Sequence, residues 1–266
     1  MRSLKAILKD RRGMVFLLVL STIVLFTIMV TNFSADQGLD MELATNFRDS
    51  VQAQYIARSG VEAAMAILIK DDPSYDGEDE DWAGFSEFAL AAASYLEGPA
   101  FTGTLSDDSA KIDLNALNKE GEQTFREAQL KRLFKLLEID IPETDLDELV
   151  KSVKDWVDKD SETDGGAEDD YYESLDTPYL CKNGPMDSPE EILLVKGMKP
   201  EYYYGTEAYK GIGGFVTVNT GGRININTAS SLVLRSISES LGENTVEKIG
   251  NSRPYKQDST NWTGLL

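Results

Sequence analysis

From Met14 to Ala35 the chain carries no charged residue. Leu, Val, Ile, Phe and Met fill this run, and its polar members are Ser, Thr and Asn, whose side chains can bond back to their own helix. A helix rises about 1.5 Å per residue, and about 20 apolar residues cross the hydrocarbon of a bilayer. The run is therefore a membrane helix or a secretory signal. Arg2, Lys5, Lys9, Arg11 and Arg12 precede it, against the single acid Asp10. Basic flanks stay on the cytoplasmic side, so the expected orientation is N-terminus in, remainder across.

A secretory signal ends in a small, polar cleavage region after a shorter apolar core. Here the break is Gly13, ahead of the apolar run, between the basic leader and Met14. Charges, then glycine, then Met-Val-Phe-Leu-Leu resembles a type IV prepilin leader, which is cut after the glycine with the helix retained. An ordinary signal anchor that contains a glycine is the alternative. The prepilin pattern has Glu at the fifth mature position, where it neutralises a neighbouring subunit's N-terminus; the fifth residue here is Leu18.

Helical periodicity continues past the membrane run. Leu39, Leu43, Phe47, Val51, Gln54, Val61, Met65 and Leu68 recur at helical spacing, with Asp40, Glu42, Asp49, Arg58 and Glu62 elsewhere on the cylinder. Residues 14–70 predict a rod of roughly 85 Å. It should end at Asp71-Asp72-Pro73, because proline disfavours helix at the residue before it. An acidic linker follows over 74–81, then a short helix over 82–96 closed by Gly98-Pro99.

Formal net charge is −20, which argues against binding a phosphate backbone. Cys181 is the only cysteine, so no intramolecular disulfide can form. There is no histidine. That removes Ser-His-Asp and Cys-His catalysis and histidine-containing zinc sites, and leaves carboxylates as the only formal basis for an enzyme.

Residues 101–105 and 110–114 read as two strands joined by 106–109, the second alternating Ile112 and Leu114 against Lys111 and Asp113. Helices are predicted over 123–137 and from Pro142 to about Val157. Ser188-Pro189-Glu190-Glu191 has the form of a capping box with proline in the first turn, and Gly197 can close that short helix. Residues 199–209 form a tyrosine-rich loop, 213–218 and 223–226 return as strands, and 229–241 is helical. Lys111-Ile-Asp-Leu-Asn115-Ala recurs as Arg223-Ile-Asn-Ile-Asn227-Thr. Asn115 and Asn227 fall where a helix cap is wanted, and two independent turns with similar needs would give the same pattern.

Residues 155–176 hold ten carboxylates and one base, Lys159. Asp158, Asp160, Glu162 and Asp164 alternate before Gly165-Gly166, followed by Glu168. Hard cations such as Ca²⁺ take six to eight oxygens from carboxylates and carbonyls of a tightly turning loop. The start of the loop imitates an EF-hand, but Tyr171 stands where the closing Glu belongs. An irregular calcium loop and a solvated acidic loop both fit. Residues 224–229 also resemble the opening of a helix-hairpin-helix module of DNA-uptake proteins, yet only Gly242 of the phosphate-holding hairpin is present. A membrane-anchored DNA-uptake protein and a carboxylate-dependent enzyme are the rival readings.

With the leader, Leu18, residues 54–64, 111–115, 155–160, 166–168, Tyr171-Tyr172, 189–195 and 224–229, the chain is similar to the protein K family of type II secretion, in order and through nearly its whole length. The resemblance implies an α+β fold: a pilin-like long N-terminal helix packed on a small antiparallel sheet, with a large helical insertion. The expected parts are a leader (1–13), the pilin helix (14–70), the first part of the body (71–112), the insertion with the acidic loop (113–205), returning strands (206–226) and a second helical segment (227–266) that looks truncated. It implies a non-enzymatic minor pseudopilin at the pseudopilus tip, partnered by minor pseudopilins I and J and processed by prepilin peptidase at Gly13 and Met14. Leu18, lacking the carboxylate, fits a terminal position. It also implies an inner-membrane protein with a periplasmic globular part, no nucleic-acid partner, and bound Ca²⁺, with Asp158, Asp160, Asp164 and Glu168 as the expected ligands.

Overall fold

The computed structural model describes residues 11–95 and 100–256. Residues 1–10 of the expected leader, the Gly98-Pro99 stop and residues 257–266 lie outside the described residues. Two compact units are present, one of Met1–Ala63 with Ala89–Thr102, the other of Ala64–Phe88 with Gly103–Leu266.

Helix α1 spans Arg11–Ile69 without interruption and runs straight through Gly13 and Met14. It is the one helix among the described residues long and apolar enough to cross a membrane. Thr22, Thr27 and Thr31 each donate a hydroxyl to the carbonyl four residues earlier, at 2.8–2.9 Å, so the apolar run presents no unpaired hydroxyl from them. Gly60 has a packing reason inside the helix: a Cβ there would lie 2.8 Å from the Phe101 ring. Helix α2 covers Phe85–Tyr95.

The second unit has one core, running from Ile112 to Tyr255. Helix α3 (Gln123–Leu136) contributes Leu130, Leu133 and Phe134, and helix α4 (Glu143–Val157) contributes Leu146, Leu149, Val150, Val153 and Trp156. Each such side chain stabilises the fold by about 1.5–3 kcal/mol when fully buried, far more than the exposed ion pairs around it. Short helices α5 (Asp169–Tyr172) and α6 (Pro200–Tyr204) follow, then α7 (Ser231–Ile237) and α8 (Glu243–Asn251). Helix α6 forms where a loop is expected. Arg132 of α3 donates to the carbonyls of Ser236 and Ile237, satisfying the end of α7.

Strands β1 (Ile112–Asp113) and β2 (Val216–Thr217) form the two-stranded sheet, and they pair parallel, not antiparallel. The expected 101–114 hairpin does not form, because its second arm is claimed elsewhere. The Ser109 carbonyl accepts from Asn225 N at 2.8 Å and Ile112 N donates to Phe215 O at 2.9 Å. Asp107 caps a 3₁₀ turn, accepting from Ser109 N at 2.7 Å, and also holds Asn225 and Thr228. Residues 223–226 meet this segment without becoming a strand.

Ser188 makes no side-chain cap. Pro189–Leu194 is a 3₁₀ helix, and Glu191 reaches past Ser188 to accept from Asp187 N at 2.9 Å. Asn115 and Asn227 are not caps either. Asp113 accepts from Asn115 N and Ser230 caps α7.

Candidate metal centre

Asp158 is the residue that ends α4: its N–H still bonds Lys154 O at 3.0 Å while its own backbone is extended. Its carboxylate thus stands at the negative end of a helix, a place that suits a cation. Glu168 precedes α5, and its carbonyl accepts from the N–H groups of Tyr171 and Tyr172. Between them the loop turns back over α4. Asp155, wholly buried in the last turn of α4, is the clamp. It accepts from Thr163 Oγ1 at 3.3 Å and from the Asp164 N–H, and the Gly166 N–H faces it. Gly166 packs so closely on α4 that a Cβ would lie 2.5 Å from the Lys151 carbonyl carbon and 2.6 Å from Asp155 Oδ2.

This folding brings Asp158, Asp160 and Glu168 together, each offering an oxygen within 4.8 Å of the others. Two oxygens on one Ca²⁺, at 2.3–2.6 Å from it, are at most about 5 Å apart, so the spacing fits. Asp158 and Glu168 are buried, and Asp160 is exposed at the open edge. Asp158 Oδ1 is buried with no hydrogen-bond partner, and both oxygens of Glu168 are buried with only the weak Cys181 thiol against its carboxylate. Burial first, then the negative charges of Asp160 and Asp155, pushes Asp158 up to about 6. Burial, with Asp155 and Asp158 alongside, pushes Glu168 up to about 7. Unpaired buried carboxylates that repel one another are costly unless a cation neutralises them, and oxygen-only donors select a hard one such as Ca²⁺.

Asp164 is not with them. Its carboxylate is exposed and pairs with Lys154, which holds it below the usual carboxylate range. Asp155, the residue that shapes the loop, was not legible as distinct among ten acids. Cys181 lies beside the site, its thiol pushed up to about 12 by burial, so it stays a neutral group. Asp71, Asp76 and Glu80 form a second trio at similar spacing, without buried members.

A long, partly apolar N-terminal helix joined to a helix-rich body with a small sheet is the build of a pilin-like subunit. Within that class, residues 110–209 match the family model of type II secretion system (T2SS), protein K. The type II secretion system protein K of Aeromonas hydrophila is 29% identical over 206 residues, covering 72% of this chain and 60% of that protein. Protein K of Pectobacterium carotovorum subsp. carotovorum is 27% identical over 199 residues, covering 73% and 60%. The chain thus spans about 60% of the length of the curated relatives it matches. Among solved structures, a chain of the GspK–GspI–GspJ complex from the type 2 secretion system of enterotoxigenic Escherichia coli superposes with a TM-score of 0.60, at 22% identity, over 80% of this chain and 73% of that one. By sequence the chain is similar to type II secretion system protein K, and it shares the pilin-like fold of the superposed chain.

Proposed function

We propose that the protein is a minor pseudopilin of type II secretion, a structural, non-enzymatic subunit at the tip of the pseudopilus. The observation that carries this is the unbroken helix α1, uncharged from Met14 to Ala35, joined to a body whose residues 110–209 match protein K. The helix anchors the precursor in the inner membrane, N-terminus cytoplasmic and body periplasmic. Prepilin peptidase cuts between Gly13 and Met14, the Met14 amine is methylated, and the helix packs among those of other pseudopilins. Minor pseudopilins I and J are the partners, a reading supported by the GspK–GspI–GspJ complex that contains the similar fold. Leu18 offers no carboxylate to another subunit's N-terminus, in keeping with a terminal position. Asp158, Asp160 and Glu168 would hold one Ca²⁺, which would neutralise the buried acids and tie the loop to α4. The net charge of −20 and the incomplete hairpin at 240–245 speak against the DNA-uptake reading.

The test is the mass of the mature chain isolated from membranes with and without prepilin peptidase. It should begin at N-methylated Met14 only when peptidase is present. A functional species that retains residues 1–13 would overturn the proposal.

A further inference from the structure

We propose that the cavity beside α7 and α8 is a binding site for a small oxyanion, a phosphate or carboxylate group, held by Arg235 and Arg253. The cavity has a volume of about 630 Å³, within the range of small-molecule sites. Ala229, Leu234 and Val246, all buried, give it an apolar lining. Arg235, in the last turn of α7, and Arg253, two residues after the end of α8, also line it, and both are half-buried.

Neither arginine has a carboxylate partner among the described residues. That is unexpected in a chain with 46 acids and 26 bases, where Arg48, Arg58 and Arg126 each meet one. Three acids even line the same cavity, Glu78, Glu243 and Glu247, and all three are exposed while the arginines are half-buried. Arg253 is also held in place. Its Nη2 donates to the Ala229 carbonyl, and its Nε is shut off from water with no acceptor. A guanidinium partly stripped of water and lacking a counter-ion is costly, and an oxyanion in the cavity offsets that cost. The planar donor fork of arginine suits carboxylate and phosphate alike.

Two neutral donors add to the pair. The Ser231 hydroxyl and the Asn251 amide line the cavity without a hydrogen-bond partner among the described residues. The exposed glutamates limit the ligand instead. They repel a molecule that carries many negative charges, so the site admits a compact anion and turns away a polyanionic chain. None of this depends on the secretion role.

Isothermal titration of the full-length chain in non-ionic detergent tests the site, with inorganic phosphate and with acetate in separate runs at one ionic strength. At least one should bind saturably. Binding of phosphate alone assigns a phosphate ligand, and binding of acetate alone assigns a carboxylate. Arg235→Gln should weaken that binding about tenfold or more. Its melting temperature without the anion should stay at the wild-type value, because Arg235 has no ion pair to lose. Glu247→Gln should tighten binding, a change that a merely structural role for this cavity would not produce. Arg253→Gln should weaken binding as well, and if it does not fold, Arg235→Gln decides. Binding of equal strength in wild type and Arg235→Gln would overturn the proposal, and so would the absence of saturable heat with either anion.

Discussion

Asn227 pairs with Tyr255 as one peptide group pairs with another: Asn227 Nδ2 donates to Tyr255 O at 3.0 Å, and Tyr255 N donates to Asn227 Oδ1 at 2.7 Å. Asn115 does the same to Met186 across the body, donating at 3.0 Å and accepting at 2.8 Å. Two residues before each clamp, Asp113 and Asn225 accept from the clamp's own N–H at 3.0 Å. The sequence repeat is thus one device used twice, a tight turn that aims an amide at a remote stretch of backbone. Asparagine suits it because its side chain carries both a donor and an acceptor.

Replacing Asn227 with Ala removes two hydrogen bonds to the backbone of Tyr255 in a buried place. At about 1–3 kcal/mol for each such bond lost, the cost should be about 2–6 kcal/mol. Asn227→Asp retains the acceptor and should cost less than Asn227→Ala. Urea unfolding followed by tryptophan fluorescence would measure it, and an unfolding free energy equal to wild type would refute the clamp.

The acidic loop makes stability depend on pH in an unusual direction. Asp158 and Glu168 are raised in the folded state, to about 6 and about 7, from ordinary values of 3.8 and 4.5. Their contribution is therefore complete below the ordinary values and is lost as pH rises through the raised ones. In chelator the melting temperature should fall between about pH 4.5 and pH 7, and saturating calcium should flatten the fall. Asp155, Asp160 and Asp169 face the pair and reinforce the trend, while Lys154 opposes it. Asp147 and Asp164, held low by lysines, act below this window. A melting temperature that climbs across it in chelator would contradict the assignment.

Gly166→Ala tests the seat of the loop on α4. The added methyl meets helix backbone, which cannot swing aside, so about 1–3 kcal/mol of stability should be lost. Calcium affinity should fall with it, because the loop that carries Glu168 is displaced. Asp155→Asn should have a similar effect by breaking the clamp on residues 163–166. Calorimetry with unchanged calcium affinity in both variants would separate the loop from the site.

Leu18→Glu restores a carboxylate at the fifth mature position. For a tip subunit this should leave secretion unchanged or lower it. An export assay in a strain lacking the native chain reads the outcome, and improved export would refute the terminal position.

Helices α3 and α4 were legible because apolar residues at helical spacing report burial directly. The helix through the uncharged run was legible because its length and lack of charge admit few structures. The sheet was not. Residues 110–114 alternate as a hairpin arm would, yet Ser109 and Ile112 find their partners at Asn225 and Phe215, more than a hundred residues away. The box at Ser188 failed for a local reason: the Glu191 carboxylate reaches the N–H of Asp187 instead. Asp164 looked equal to its neighbours until the fold put Lys154, ten residues earlier, beside it.

What the chain alone determined is its polarity along its length: a basic N-terminal segment, an uncharged run, an amphipathic continuation and a loop dense in acids. These follow from residue type and spacing, which act locally. Which acids face one another was decided only by tertiary packing. Gly166 pressed onto α4 and Asp155 holding the loop over it bring three of ten carboxylates together and leave Asp164 to a lysine. Distances between residues far apart in the chain depend on how the helices pack, and no local pattern encodes them.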